Sequence, residues 1–181
     1  MQQIQKRKEC RTMNKNVLPA LFYILLIALL IGCGNSIKED IINYSKKIDA
    51  IDKSFELMRS KTDKIGDDKD DYLKVIRGDI IPFFNDAKEK IENIDIKTKE
   101  VLEINNIFII ALELYAKSFD QISDAIEYMD EDRIKESEQT MAEAESKIDE
   151  GNAKWKKLTE KYNVKNIFAK FMNNAIKPRH N

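Results

Sequence analysis

Apolar residues recur alternately four and three apart along most of this chain, first at Ile37, Ile41, Tyr44, Ile48, Ile51, Phe55 and Met58. A spacing that averages 3.5 residues lays one apolar seam along a helix and calls for near-parallel helical neighbours. The pattern returns through Ile76, Ile80, Phe83, Ala87 and Ile91, then through Val101, Ile104, Phe108, Ala111, Tyr115, Ser118, Ile122, Ala125 and Met129. A fourth run holds Ile134, Ser137, Met141, Ala144, Ile148, Gly151, Trp155, Leu158 and Tyr162. No stretch alternates with period two, and 5 Gly and 3 Pro in 181 residues supply little turn material. Barrels and sandwiches are excluded on that ground. The expected fold is all-α: an antiparallel up-down-up-down four-helix bundle over residues 37–162.

Local signals set the expected helix limits. Ser36-Ile37-Lys38-Glu39 has the capping-box pattern and predicts a helix start at Ser36. Ile65-Gly66 predicts the end of that helix, and Asp67 to Asp71 an acidic turn into the next. Gly78 and Pro82 lie inside the second helix and predict a kink or break near Ile81. Asp130-Glu131-Asp132 predicts a cap and an acidic first turn for the fourth. The small residues Ser137, Ala144 and Gly151 either let a neighbouring helix come close or leave a space opposite Phe108 and Tyr115.

Ahead of the bundle, Val17 to Ile31 is an unbroken apolar run preceded by Lys6, Arg7, Lys8, Arg11 and Lys15. A membrane span wants about 20 apolar residues, whereas a secretory signal core needs about 7 to 15. The run fits the signal core, and the leading positive charges would send the rest of the chain across the membrane. Met13-Asn14-Lys15 would also make a normal signal start, leaving Met1 to Thr12 outside it. Leu30-Ile31-Gly32-Cys33 places an aliphatic residue third before a cysteine and a small residue just before it.

That tetrapeptide is similar to the lipobox of bacterial lipoproteins, with Ile31 where Ala, Ser or Thr is more usual. The resemblance covers the signal segment. It implies a signal peptide over residues 1–32, a diacylglyceryl group on the Cys33 thiol, and a lipidated cysteine with a short tether over 33–36. The alternative is an uncleaved signal anchor with Cys33 a bystander at the membrane face. Cys10 and Cys33 are the two cysteines, so a chain beginning at Cys33 has no disulfide partner and depends on packing. The architecture as a whole resembles small all-helical lipoproteins of Gram-positive bacteria, most of which have no assigned activity. The resemblance implies a cell-membrane location on the extracytoplasmic face, with the lipid bilayer as partner through Cys33.

Charge is segregated along the chain. Residues 37–160 hold 21 basic and 31 acidic side chains, whereas Lys161 to Asn181 carry Lys161, Lys165, Lys170, Lys177 and Arg179 and no acid. Val164, Ile167, Phe168, Phe171, Met172 and Ala175 give residues 163–181 one apolar side. Two readings follow for this basic amphipathic segment: a helix against anionic lipid headgroups, or a helix folded back on the acidic bundle.

The chemistry-bearing candidates are thin. His180 is the one histidine and lies beside the C-terminus, and no phosphate loop, nucleophile elbow or dinucleotide glycine pattern occurs. No catalytic residue, cofactor or metal ligand is assigned; counted as a calcium loop from Asp67, the sixth and twelfth places hold Tyr72 and Gly78. Arg77-Gly78-Asp79 spells the integrin-binding tripeptide within a helical pattern, where it would not be displayed. Ile107 to Leu112 is apolar on all sides, so Ile109 and Leu112 are either covered or form a patch for a partner or a second copy. Nucleic acid is not an expected partner of an acidic body with a short basic tail. The leading expectation is a non-enzymatic lipoprotein with a protein-interaction or membrane-surface role. The alternatives are a ligand-binding lipoprotein with a pocket in the bundle, and a protective lipoprotein resembling phage-exclusion or immunity proteins.

Overall fold

A computed structural model describes the backbone of residues 17–62 and 68–165, and the side chains of residues 36–60 and 68–165. Every described element is helical: α1 (Val17–Thr62), α2 (Lys69–Val75), a π-helical turn (Ile76–Ile80), α3 (Ile81–Glu92), α4 (Lys99–Tyr128) and α5 (Glu131–Lys161). The chain divides into two compact units, Met1–Asn35 and Ser36–Asn181. The boundary falls where the capping-box pattern lies, yet α1 runs through Ser36, so no helix begins there.

Within the second unit the seam residues form one core. Ile41, Tyr44, Ile48, Ile51 and Phe55 of α1 are buried with Val101, Ile104, Phe108, Ala111 and Tyr115 of α4 and Ala144, Ile148, Trp155 and Leu158 of α5. Antiparallel pairing of α4 and α5 follows from three levels: Glu103 meets Lys154, Phe108 lies over Gly151, and the Ser118 hydroxyl donates to the Ser137 carbonyl at 2.9 Å. α3 is antiparallel to α4 as well, with Lys88 on Glu113 at 2.8 Å and Phe84 stacked on Tyr115 and Phe119 at 5.2 and 5.5 Å. α1 reaches α3 through Phe55 on Phe83, centroids 4.6 Å apart, and α5 through Tyr44 on Trp155, 5.3 Å apart.

The irregularity expected around Gly78 and Pro82 takes the form of a π-helical turn. Pro82 has no N–H for the Gly78 carbonyl, and the helix absorbs the loss by widening into the Ile76–Ile80 π turn, with the Ile81 N–H on the Ile76 carbonyl. α2, the π turn and α3 therefore continue one another without a break. The extra residue in that turn shifts the seam by one position directly after it, and Ala87 and Ile91 keep their expected places. Phe84 takes the buried place at 5% exposure, with Phe83 half-buried against Phe55, and the buried register becomes Ile76, Ile80, Phe84, Ala87 and Ile91.

Two seam positions at the α4–α5 turn also depart from expectation. Met129 lies past the end of α4 in the left-handed conformation with φ 55°, and Ile134 lies in the first turn of α5; both are exposed. The Asp130 cap stands as expected, whereas the stretch read as an acidic turn into the second helix is already helical from Lys69, with Asp68 as the cap. Asp68 accepts from the Asp70 and Asp71 N–H groups at 2.9 and 3.0 Å, and Asp130 from Asp132 and Arg133 at 3.1 Å each.

Candidate functional site

Cys33, the residue singled out for lipid attachment, falls among positions whose side chains lie outside the described residues, as does the whole apolar run Val17 to Ile31. The expected signal start at Met1 or Met13, the Ile65-Gly66 helix end, Asp67, His180 and the segment from Asn166 onward lie outside them too. Among the described residues, no helix is long and apolar enough to cross a membrane, and no cluster of His, Cys, Asp or Glu is arranged to hold a metal.

The seam of small residues in α5 was the candidate for an internal space. Phe108, fully buried, fills it: a methyl group placed on Gly151 would lie 2.5 Å from its Cε1, 2.8 Å from Cζ and 3.1 Å from Cδ1. Glycine at 151 is thus a close-approach residue, and the space opposite is occupied by the ring itself. Ser137 and Ala144 are fully buried in the same seam. Leu112 is fully buried and Ile109 partly so, and the patch considered at those two positions does not form.

Ile42, Leu57, Leu102 and Ile110 are exposed at separate positions along α1 and α4, and the two most exposed large apolar side chains adjoin at the end of the α4–α5 hairpin. Tyr128 is 70% and Met129 83% exposed, with Ile134 at 42% close by in sequence. Met129 occupies the place where a helix terminus normally carries glycine, since the Met129 and Asp130 N–H groups both return to the Ala125 carbonyl. An L-residue in this conformation is strained by roughly 1–2 kcal/mol. A large apolar side chain is held in strained backbone at the most exposed point of the turn, with a tyrosine beside it.

An ionic lattice braces this end. The Arg77 guanidinium reaches Glu127 at 2.5 Å, Asp124 at 3.3 Å and the Ser123 hydroxyl at 3.2 Å, while Arg133 takes the other oxygen of Asp124. Hydrogen bonding to Glu127 raises the Arg77 pKa further. Lys69 donates to the Glu127 carbonyl at 3.1 Å. The Arg77-Gly78-Asp79 tripeptide is therefore a helical brace, not a displayed loop.

At the opposite end of the unit, Asp40 is a buried carboxylate that the sequence did not mark out. It accepts from the Thr98 N–H at 2.9 Å, the Lys97 N–H at 3.2 Å and the Thr98 hydroxyl at 2.5 Å. A residue of α1 thereby caps α4 from outside, because the Thr98 hydroxyl is spent on Asp40 and does not cap its own helix. Asn105 is also buried, its Oδ1 without a hydrogen-bond partner among the described residues. Burial raises the pKa of Tyr44 and Tyr115, so both phenols stay protonated across the physiological range. Asp52 is shifted upward by burial and by the neighbouring carboxylates Glu56 and Asp49. On the surface, Lys154 holds Glu103 below the usual carboxylate range and Lys147 does the same for Glu150.

Set against protein-family models, curated proteins and solved structures, the chain matches none.

Proposed function

We propose that this chain is a lipoprotein of the bacterial cell envelope, anchored through Cys33 on the extracytoplasmic face, whose helical unit has a non-enzymatic protein-interaction role. The anchoring half of the reading rests on the apolar run and the Leu30-Ile31-Gly32-Cys33 sequence. The interaction half is carried by one observation: the exposed Tyr128–Met129 pair, with Met129 in a conformation that glycine would adopt at less cost. Filling of the Gly151 seam by Phe108 favours this over a ligand pocket in the bundle. The up-down-up-down order of all four helices belongs to the same proposal and is supported by the antiparallel pairs α3 with α4 and α4 with α5.

In that order the Tyr128–Met129 turn lies at the end away from Ser36, where an anchored molecule meets other envelope proteins. The test is a photoreactive amino acid placed at Met129 in cells, with Lys117 on the side of α4 as the comparison site. A discrete adduct from position 129 that is missing from 117 supports the role. Equal, diffuse labelling from both sites refutes it.

A further inference from the structure

Elsewhere in the second unit Lys53 pairs with Asp49, Lys88 with Glu113, Lys90 with Asp86, Lys147 with Glu150 and Lys154 with Glu103, while Lys46, Lys47, Lys74 and Lys117 stand singly without an ion pair among the described residues. At one end unpaired lysines gather. Three stretches remote in sequence converge there. The Asp40 carboxylate ties the first turns of the unit to Lys97 and Thr98, and the Tyr44–Trp155 contact brings in the last turns of α5. The end of α5 closes on this side of the core as well. Asn163 is left-handed with φ 52°, the Val164 N–H returns to the Thr159 carbonyl at 2.9 Å, and Val164 packs on the core. Lys38, Lys97, Lys99, Lys157, Lys161 and Lys165 are all exposed at this end, and none has an ion-pair partner among the described residues.

The carboxylates facing them are fewer. Glu39, Asp95 and Glu100 are similarly unpaired, Glu160 lies 4.0 Å from Lys156, and Asp40 is committed to the backbone of the α3–α4 turn. At the other end the sign reverses, with Asp124, Glu127, Asp130, Glu131 and Asp132 around Arg77 and Arg133. The unit is electrically polarised along its helices. Its positive end is the one that holds Ser36, the first residue of the unit.

We propose that this lysine-bearing end is a docking surface for an anionic phospholipid bilayer. The inference rests on the anchored reading above, which sets a bilayer a few residues from Lys38. It adds that the folded unit itself makes a second, electrostatic contact that orients it on the membrane. Six exposed, unpaired lysines drawn from α1, the α3–α4 turn, the start of α4, the last turns of α5 and the residues just after it match a sheet of phosphate charge, and an anionic surface repels the other end of the unit.

The test uses residues 36–181, a compact unit with its own core, and therefore does not depend on lipidation. Its partitioning is measured onto phosphatidylcholine vesicles with and without phosphatidylglycerol. A triple variant, Lys97→Gln, Lys99→Gln and Lys157→Gln, is compared with Lys74→Gln, Lys117→Gln and Lys135→Gln, which removes the same charge elsewhere. Unfolding midpoints of both are read alongside, and residues 166–181 are retained throughout.

The expected result is binding that needs phosphatidylglycerol and fades at high salt. The first triple should weaken it by roughly a hundredfold, about fivefold per lysine, and the second by no more than about threefold. Equal losses in the two triples, no loss in the first, or no preference for the anionic lipid would overturn the proposal. Those outcomes leave the anchoring itself untouched, because the mass of the lipidated cysteine reports on anchoring separately.

Discussion

Replacing Gly151 by alanine is the sharpest test of the α4–α5 packing, because helix propensity and packing pull in opposite directions there. In a helix interior, alanine exceeds glycine by about 1 kcal/mol, so on propensity alone the change stabilises. The structure says otherwise. Carbon atoms attract best at about 3.5–4.0 Å, whereas the new methyl would lie 2.5, 2.8 and 3.1 Å from three carbons of the fully buried Phe108 ring. Overpacking of this kind costs about 1–3 kcal/mol, and three close contacts on a ring with no free space put this site toward the upper end. The net expectation for Gly151→Ala is a loss of about 1–2 kcal/mol. Gly78 supplies the matched comparison: its added methyl would meet nothing within 4 Å, and Gly78→Ala should gain about 0.5–1 kcal/mol. Urea unfolding of residues 36–181 reads both, and thermal midpoints should move about 2–4 °C per kcal/mol in opposite directions. Phe108→Leu in the Gly151→Ala background should be less damaging than the two separate effects added, as expected for residues in contact. If Gly151→Ala stabilises as much as Gly78→Ala, Phe108 does not lie over Gly151 and the core described here is wrong.

Three further outcomes follow from particular side chains. Met129→Gly should raise stability by about 0.5–1 kcal/mol, since relief of the left-handed strain exceeds the entropy of an added glycine; a loss in urea unfolding would show that Met129 packs in the fold. Asp40→Ala should cost about 2–4 kcal/mol by stranding three donors at the start of α4, with Asp40→Asn milder because one acceptor oxygen remains; an unfolding midpoint within error of the parent for Asp40→Ala would contradict the cap. Asp52, whose pKa is raised by burial and by Glu56 and Asp49, disfavours the fold when ionised: its penalty is present above the folded pKa and gone below the unfolded one. Asp52→Asn should therefore stabilise slightly at pH 7, and that advantage over the parent should shrink toward pH 3. An advantage that grows on acidification would reverse the sign.

The sequence was most informative where one periodicity ruled a whole helix. From Val101 to Ser118 every seam position expected in α4 is buried, and α1 keeps its seam from Ile41 to Phe55. The misreadings lie where a local backbone event shifts that periodicity. At Pro82 a missing N–H could produce a kink, a break or a π turn, and only the π turn moves Phe84 into the place read for Phe83. At Met129 the apolar spacing ran on past a helix end that no glycine announced. Asp40 was hidden for a different reason. Its three donors lie 57 and 58 residues away, and no spacing within the sequence encodes a cap supplied from another helix. The gathering of Lys38, Lys97, Lys99 and Lys157 at one end has the same origin: read along the chain they are scattered, and only antiparallel pairing brings them together.

The anchored lipoprotein reading is tested most directly by the intact mass of the protein extracted from the membranes of a Gram-positive host, beside a Cys33→Ala variant. The account predicts a wild-type chain that begins at Cys33 and carries a diacylglyceryl mass missing from the variant. A wild-type chain that retains its N-terminal residues and carries no lipid would contradict it, and would make this protein a signal-anchored membrane protein instead.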